Sequence, residues 1–303
     1  MSGDTFHHVR DYDYFEVPQF LGGEWPLPHF GDFHLTKFMV LQLVAVAIVY
    51  WIGTGLAKRV HGGRPVSGRW WNFWETLAVY LRDHVVRPTI GTGHHGHDDH
   101  GHDHDDHGHH GHDHGHAAVE HAHPADKYLP FIWSCFFYVL ICNLLGAIPW
   151  LGSATGEINV TGALAVTAFG ATVFYGSQEL SFGGFWKALC PGMDMPSGLL
   201  GLIMKVLLIP MIWCIELLGL FIKHGVLAVR LFANIMAGHT VIAVFLGFIA
   251  TFEVSNVLFY VVTPASIAAQ IGVGMLELFV AFLQAYIFAF LATLFIGTAV
   301  HPH

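Results

Sequence analysis

Five stretches of the chain are apolar and long enough to cross a bilayer, whose hydrocarbon core is spanned by roughly 20 helical residues. Three of them are of ordinary length and cover residues 38–56, 129–148 and 160–175. The other two, residues 197–250 and 256–300, are much longer than one crossing requires. This pattern predicts an all-α integral membrane protein with about five membrane-embedded helices.

A shorter helix of a different kind is predicted between the first two spans, over residues 69–86. Its apolar residues recur at helical spacing and its charged residues fall between them: Trp70, Trp74, Leu77, Leu81 and Val85 against Glu75, Arg82 and Asp83. A helix with one apolar and one charged face typically lies in the headgroup plane rather than across the bilayer. We therefore expect one interfacial amphipathic helix in addition to the spans.

The two long stretches raise a question of geometry. An unbroken helix over residues 197–250 would be about 80 Å long, against roughly 30 Å for the hydrocarbon core. Pro210 and the "KHG" of residues 223–225 are the strongest helix-interrupting features of this stretch. The sequence by itself favours a break at residues 223–225, and a similar break within residues 256–300, over a strongly tilted or bent helix.

Composition and charge agree with a membrane protein and set an orientation. Of the 303 residues 54% are hydrophobic and only 12% are charged, whereas about a quarter of the residues of soluble domains are charged. A cluster of basic residues follows the first span: Lys58, Arg59, Arg64 and Arg69. Because such clusters mark cytoplasmic loops, we expect residues 1–35 to be extracytoplasmic. These residues lack a compact apolar run, so no cleavable signal peptide is expected. A single membrane domain at residues 36–303, with a cytoplasmic C-terminus, would follow.

A low-complexity insertion occupies residues 94–123 and holds 14 of the 24 histidines, together with six aspartates. Nothing in it could bury a core, so it is predicted to be a disordered cytoplasmic loop. Imidazole and carboxylate groups suit Zn²⁺ and Ni²⁺. Weak, reversible metal binding is therefore expected from its first histidines: His94, His95, His97, His100, His102 and His104.

Polar residues follow a regular spacing in the first long stretch. Glu216, Lys223 and Arg230 are seven residues apart, so in a straight helix they share one face. Asn234 lies one turn beyond Arg230 on nearly the same stripe, whereas His239 falls roughly on the opposite side.

The second long stretch repeats the spacing with Glu277 and Gln284. Several of these polar residues have ordinary explanations. Lys223 could extend its side chain to the membrane interface, Asn234 and Gln284 could form hydrogen bonds with neighbouring helices, and His239 could be a packing residue. Arg230 and Glu277 are harder to explain in this way, because charges inside a membrane usually face a charged partner or a water-filled path. A basic and an acidic stripe in adjacent segments together indicate ion conduction.

Several motifs carry a resemblance to a known family. "VRLFANIMAGH" at residues 229–239 is followed by "LQAYIFAFLATLFI" at residues 283–296, and shorter matches are "HHVRD", "CNLLGAIPW", "INVTGALAV" and "IPMIWCIELLGLFIK". With these motifs the chain resembles subunit a of the F-type rotary ATP synthase over nearly its whole length. The arginine motif at a fixed distance before Leu-Gln-Ala is highly specific.

The resemblance implies a proton-translocating stator subunit beside a ring of c subunits, each with one carboxylate. It also implies that the partners are a b-subunit stalk, other synthase subunits and membrane lipid, without nucleic acid. The expected location is the bacterial plasma membrane, and no cofactor is expected. The last two segments would be long, strongly tilted helices. The residue that matches the family's essential arginine is Arg230. The positions that match the proton path are Asn234, His239, Glu277, Gln284, Glu216 and Lys223.

The chain departs from the family pattern at a few positions. Gly219 and His224 stand where relatives often have Ser and Pro, the acid and imidazole of Glu277 and His239 are exchanged in some relatives, and the His-rich insertion is not a family feature. A Zn/Ni transporter is the alternative suggested by the insertion, but it requires paired ligands within the spans, which offer almost none besides His239. A membrane enzyme would need a clustered nucleophile or base, and none is present. The residues fit H⁺ or Na⁺ as the coupling ion and do not fix the ring size.

Overall fold

The computed structural model describes residues 14–16, 24–27, 29–30, 33–34, 36–60, 68–91, 123–148, 151–188, 199–251 and 257–301. The insertion predicted at residues 94–123 lies outside these ranges except for His123. Its candidate metal ligands therefore lie outside the described residues: His94, His95, His97, His100, His102 and His104.

Two short β-hairpins precede the first helix. Strand β1 (Tyr14–Glu16) pairs antiparallel with β2 (Glu24–Pro26), and β3 (His29–Phe30) pairs antiparallel with β4 (Phe33–His34). They add a small β element within residues 1–35 that the hydropathy pattern does not predict.

Helices account for the rest of the described secondary structure. They are α1 (Lys37–Arg59), α2 (Arg69–Leu81), α3 (Arg87–Ile90), α4 (Leu129–Gly146), α5 (Ile158–Leu180), α6 (Phe182–Ala188), α7 (Leu199–Thr251) and α8 (Val257–Val300). A π-helical turn (Arg82–Val86) joins α2 to α3, and 3₁₀ turns at Pro124–Tyr128 and Ala154–Gly156 precede α4 and α5. Within the described ranges, five helical segments are long and apolar enough to cross a membrane. The prediction of an all-α, multi-pass membrane protein is confirmed.

The two predicted breaks are wrong. Helix α7 runs without interruption for 53 residues through residues 223–225, and α8 runs for 44 residues. Pro210 and Pro264 lie inside these helices, where neighbouring helices allow a membrane helix to tolerate proline. Unlike a proline, the lysine, histidine and glycine of residues 223–225 keep their backbone N–H groups and do not clash with the preceding turn. The side chain of His224 also bonds to the carbonyl of Leu220 in its own helix at 2.9 Å. At 1.5 Å per residue, the two helices are about 80 Å and 66 Å long.

Helix α4 lies at the centre of the bundle and packs against α1 and α8, while α5 packs against both α7 and α8. Around α4 the core is apolar, with Ile132, Val139 and Leu140 fully buried. A helix that is apolar all round can lie in the interior of a bundle, which is where α4 lies.

The predicted amphipathic helix is present as α2 and its continuation, and its apolar face packs on α4. The ring of Trp74 lies 5.7 Å from that of Phe137, and the indole Nε1 of Trp133 donates to the carbonyl of Ala78 at 3.0 Å. Gly55 of α1 allows the close approach of α2, since any side chain there would overlap the ring of Trp71. The apolar face of α2 is thus largely satisfied within the protein.

Ion pairs fix the ends of these elements. The guanidinium of Arg87 donates to both carboxylate oxygens of Asp126 at 3.1 and 2.9 Å, across 39 residues of sequence. Asp83 accepts from Arg82 at 2.8 Å, and Lys127 pairs with Glu179 at the end of α5. The pairs Arg87–Asp126 and Lys127–Glu179 tie α3 and α5 to the start of α4.

Candidate functional site

The predicted charged stripe of α7 lies on one exposed face of the helix. Glu216, Lys223 and Arg230 are all exposed. A shallow groove of about 450 Å³ runs past Arg230 and is otherwise apolar, with the lining residues Ile222, Gly225, Val226, Val229 and Ala233. The guanidinium makes no ion pair with any residue that the structure describes. Arg230 is therefore the charged residue of an apolar groove, without an ion-pair partner among the described residues.

The opposite face of α7 explains why Arg230 points outward. His224, Leu227, Leu231 and Ile235 are buried and recur every three or four residues. Such a row is the packing stripe of a helix, and it faces α5 and α8. Arg230 is offset by about 100° around the helix from the neighbouring Leu231 of this row, and its side chain lies on the exposed side.

Helices α7 and α8 approach each other closely where Gly238 meets Glu277. A Cβ atom on Gly238 would lie only 3.1 Å from Oε1 and 3.2 Å from Cδ of Glu277. The adjacent His239 and the preceding Asn234 are both half-buried on the same stretch of α7. The structure therefore brings Glu277 to the segment of α7 that holds these two predicted residues.

A row of buried polar atoms runs along α8. Thr263 Oγ1, Gln270 Nε2, Glu277 Oε1 and Gln284 Nε2 are buried, and none has a hydrogen-bond partner among the described residues. The four residues are spaced by seven, so they share one face of the helix. The sequence analysis found only Glu277 and Gln284. The same spacing, extended two steps toward the N-terminus of α8, would have found Gln270 and Thr263.

A second polar group lies beside this row and was also missed. Asn143 of α4 is 1% exposed, and its Nδ2 donates to the carbonyl of Ala281 on α8 at 3.4 Å. Thr155 Oγ1 donates to Asn143 Oδ1 at 3.0 Å and lies 3.0 Å from Ser153 Oγ. In the sequence, the available sign of this group was the amide of Asn143 inside the apolar motif "CNLLGAIPW". An amide in an apolar run does not by itself show which residues it bonds.

The predicted residues do not form a single cluster. Arg230 precedes Gly238 by eight residues, which is about 12 Å along the axis of α7. On the other side of Arg230, Glu216 is about 21 Å from it along the same axis. Glu277 and the α8 row lie beside the stretch of α7 that holds His239 and Asn234. Arg230 lies one turn before Asn234, and Glu216 and Lys223 lie further toward the N-terminus of α7. Across the described ranges, no three His, Cys, Asp or Glu side chains are placed to hold a metal ion. The transporter alternative thus receives no support.

The comparisons with known proteins agree with this arrangement. The family model described as ATP synthase A chain matches residues 115–297. ATP synthase subunit a of Chloroherpeton thalassium is 33% identical over 302 residues, which cover 98% of this chain and 76% of that protein. ATP synthase subunit a of Myxococcus xanthus is 40% identical over 284 residues, which cover 90% of this chain and 76% of that one. The chain belongs to the ATP synthase A chain family.

Proposed function

We propose that this chain conducts protons across the membrane as the stationary subunit of the ATP synthase membrane sector, through two half-channels that meet at Arg230. The observation that supports this most is the lone guanidinium of Arg230 on an exposed apolar face. A charged arginine at bilayer depth costs at least about 2.5–3.5 kcal/mol. An anion brought by another chain would compensate for that cost.

That anion is the carboxylate of a c subunit, which the rotating ring carries past α7. A nearby cation favours the ionised form of a carboxylic acid, so a ring carboxylate gives up its proton as it reaches Arg230. The guanidinium stays protonated at accessible pH and cannot relay protons itself. Arg230 therefore also prevents direct proton flow between the two half-channels.

The uptake half-channel follows the polar row of α8. From Thr263 to Glu277 this row extends about 21 Å along the helix axis, less than the thickness of the hydrocarbon core. Buried polar atoms in proteins generally have hydrogen-bond partners, and water supplies those that the protein does not. We infer a file of water from the outside to Glu277. Asn234 and His239 of α7 lie along this path, and an imidazole can both accept and donate a proton.

The release half-channel begins on the other side of Arg230. Glu216 and Lys223 share the exposed face of Arg230 and lie toward the N-terminal end of α7. A proton that leaves the ring carboxylate passes Glu216 on its way to the cytoplasm.

The cycle follows from these parts. A proton from outside neutralises a ring carboxylate, and the neutral subunit rotates into lipid, where a charged one could not go cheaply. After nearly a full turn it reaches the release half-channel and ionises beside Arg230. The chain only transfers protons, so it is the ion-translocating subunit rather than a catalytic one and needs no cofactor.

The partners follow from the exposed surfaces. The groove residues Ile222, Val226 and Val229 offer the ring an apolar contact around Arg230. Helices α7 and α8 are more than twice as long as the core is thick, which fits strong tilt around a ring. The b-subunit stalk, other synthase subunits and membrane lipid cover the remaining apolar surface.

The orientation follows from charge. Lys58 and Arg59 end α1, and basic residues concentrate on the cytoplasmic side. We therefore assign the chain to the bacterial plasma membrane, with residues 1–35 outside and a single membrane domain at residues 36–303. The His-rich insertion at residues 94–123 and the C-terminus are cytoplasmic, and α2 lies at the cytoplasmic interface.

Replacement of Arg230 tests this function. Arg230→Ala should abolish ATP synthesis and ATP-driven proton pumping in vesicles, and should allow a passive proton leak through the membrane sector. Arg230→Lys should fail too, because a lysine can deprotonate when desolvated and lacks the planar fork. Assembly is checked by the subunit pattern on a native gel.

Lys58→Ala is the matched control, since it removes an exposed cation from α1 and leaves the conduction path intact. It should pump protons like the unaltered complex. Substantial ATP synthesis by an assembled Arg230→Ala complex would refute the proposed function.

A further inference from the structure

His224 is a polar residue in the otherwise apolar packing stripe of α7. It is 3% exposed, and the neighbouring members of the stripe are Leu227, Leu231 and Ile235. The sequence motifs assign it no role, and in the proposed proton path it plays no part. A buried imidazole in such a stripe requires hydrogen-bond partners.

Those partners belong to two different helices. Nδ1 of His224 lies 2.9 Å from the carbonyl oxygen of Leu220 in α7, and Nε2 lies 3.3 Å from Oγ1 of Thr172 in α5. The imidazole ring also packs on Phe295 of α8, at 4.7 Å between centroids, and edge-on against Phe169 of α5 at 5.4 Å. One side chain thus joins α5, α7 and α8.

The donors can be assigned from chemistry. The carbonyl of Leu220 only accepts, so Nδ1 of His224 carries a hydrogen, and Nε2 of the neutral ring is left as an acceptor. Thr172 must then donate its hydroxyl hydrogen to Nε2. The same hydroxyl lies 2.9 Å from the carbonyl of Ala168 in its own helix, which is where it would turn without His224. The bond between α5 and α7 therefore depends on both side chains.

The position of this bond relates it to Arg230. Six residues separate His224 from Arg230, which is about 9 Å along the axis and about 240° around it. When His224 faces α5, Arg230 must face the exposed side. The apolar packing stripe holds α7 against its neighbours through van der Waals contacts, and the buried hydrogen bond adds a directional contact that favours one rotation of the helix. A register slip of one residue would turn Arg230 by about 100°.

We propose that His224 is a positioning residue that fixes the rotation of α7 through its hydrogen bond with Thr172, so that Arg230 faces the ring. This role rests on the proposed function of Arg230 and deepens it. The bond itself requires only that His224 accepts from Thr172, not that it exchanges protons with the path.

The test compares variants in assembled complexes, by the number of protons pumped per ATP hydrolysed. Thr172→Val and His224→Leu should each lower this ratio, by at most about threefold, the factor by which loss of a typical interhelical hydrogen bond in a membrane changes the orientation equilibrium. The double variant should be no worse than the worse single variant, because both changes remove the same bond. Thr167→Val is the matched control, since Thr167 of α5 is exposed and bonds only to carbonyls of its own helix at 2.8 Å; it should leave the ratio unchanged.

His224→Gln separates positioning from proton transfer. Its side-chain carbonyl can still accept from Thr172 but does not titrate, so the ratio and its pH profile between about pH 6 and pH 8 should match the unaltered complex. A His224→Gln complex as defective as His224→Leu would overturn the proposal, and so would equal ratios for Thr172→Val and Thr167→Val. If His224→Leu does not assemble, the two threonine variants decide the matter. Arg230→Ala runs in parallel. If Arg230→Ala abolishes coupling while Thr172→Val does not reduce it, the positioning role fails and the proposed function stands.

Discussion

At the scale of single residues, the contact between Gly238 and Glu277 depends on the absence of a side chain. A methyl group on Gly238 would lie 3.1 Å from the Oε1 atom of Glu277, too close for an undisturbed carboxylate. Gly238→Ala should therefore reduce ATP-driven proton pumping by between about twofold and tenfold, since a shift of a few tenths of an ångström costs less than a full ångström. Pumping is measured in vesicles on assembled complexes.

Gly247→Ala provides the control for this change. Gly247 lies on the same helix, and a Cβ atom there would have nothing within 4 Å. It should pump normally. Equal pumping by the two alanine variants would show that the close approach of α7 and α8 is not needed.

The acid and the imidazole near this contact are expected to act together. Glu277→Gln should slow ATP-driven pumping while assembly stays intact, because the amide cannot bind and release a proton in the path. The exchange of His239→Glu with Glu277→His should recover more pumping than either single change, since the path again contains one acid and one imidazole. An exchange variant no better than the worse single variant would mean that the two residues do not form a functional pair.

The sequence predicted some of these residues and not others, for physical reasons. A charge such as Arg230 stands out in an apolar run because of its desolvation cost alone. Gln270 and Thr263 share the seven-residue spacing of Glu277, so the information was present but uncharged residues give a weaker signal. Gly238 gives no signal in the sequence, since only the approach of α8 reveals why a side chain is excluded there.

At the scale of elements, hydropathy predicted the number of spans but not the continuity of the last two. Residues 223–225 would suggest a helix end in a soluble protein, where water solvates a free backbone. In α7 the helix continues, because a backbone in lipid must satisfy its hydrogen bonds internally and His224 finds partners in α5. The amphipathic period of α2 predicted a helix correctly, whereas its packing on α4 depends on Trp133 and Phe137, which the pattern of α2 does not contain.

The junction of α2 and α3 should respond to pH through Asp83. A hydrogen bond from Arg82, with the nearby charges of Arg82 and Arg87, lowers the pKa of Asp83 below its ordinary value. Because the pKa of Asp83 is lower in the folded protein than in the unfolded chain, its ionised carboxylate stabilises the fold. This stabilisation is fully present above the pKa of the unfolded chain, near 3.9, and is lost as the pH falls through the pKa of the folded protein. This contribution should be below about 1 kcal/mol, because the pair is partly exposed to solvent.

Thermal unfolding of the purified complex in detergent checks this expectation. Asp83→Asn should lower the unfolding midpoint slightly at neutral pH, and the difference from the unaltered chain should shrink below pH ~4. The control is Glu157→Gln, since the carboxylate of Glu157 accepts from Asn159 rather than from an arginine. A difference for Asp83→Asn that persists unchanged at acidic pH would contradict the assignment.

At the scale of the whole molecule, the chain combines a packed scaffold with an apolar working face. Helices α4 and α5 hold α7 and α8 from behind, and the exposed side of α7 carries Arg230. The polar row of α8 lies buried inside the molecule rather than on this face. The proposed proton path therefore runs through the interior of the protein, whereas the exposed face of α7 carries the three charged residues Glu216, Lys223 and Arg230.

The His-rich insertion joins this molecule at a site that can close without it. Its two described ends meet, since a Cβ atom on Gly91 would lie only 2.5 Å from Cε1 of His123. The ion pair between Arg87 and Asp126 fixes the same junction from both sides. Deletion of residues 94–116 leaves residues 92–93 and 117–122 to connect ends that already touch, so no helix has to move.

We therefore expect this deletion to leave ATP-driven proton pumping within about twofold of the unaltered complex, because loops generally tolerate insertions and deletions. Calorimetric titration with Zn²⁺ should show weak binding by the full chain and its loss in the deletion variant, because the variant lacks the six histidines from His94 to His104. Adding Asp126→Asn to the deletion variant should reduce pumping or assembly further, since it removes the ion pair between Arg87 and Asp126 that holds α3 to the start of α4. Complete loss of pumping by an assembled deletion complex would show instead that the insertion takes part in conduction.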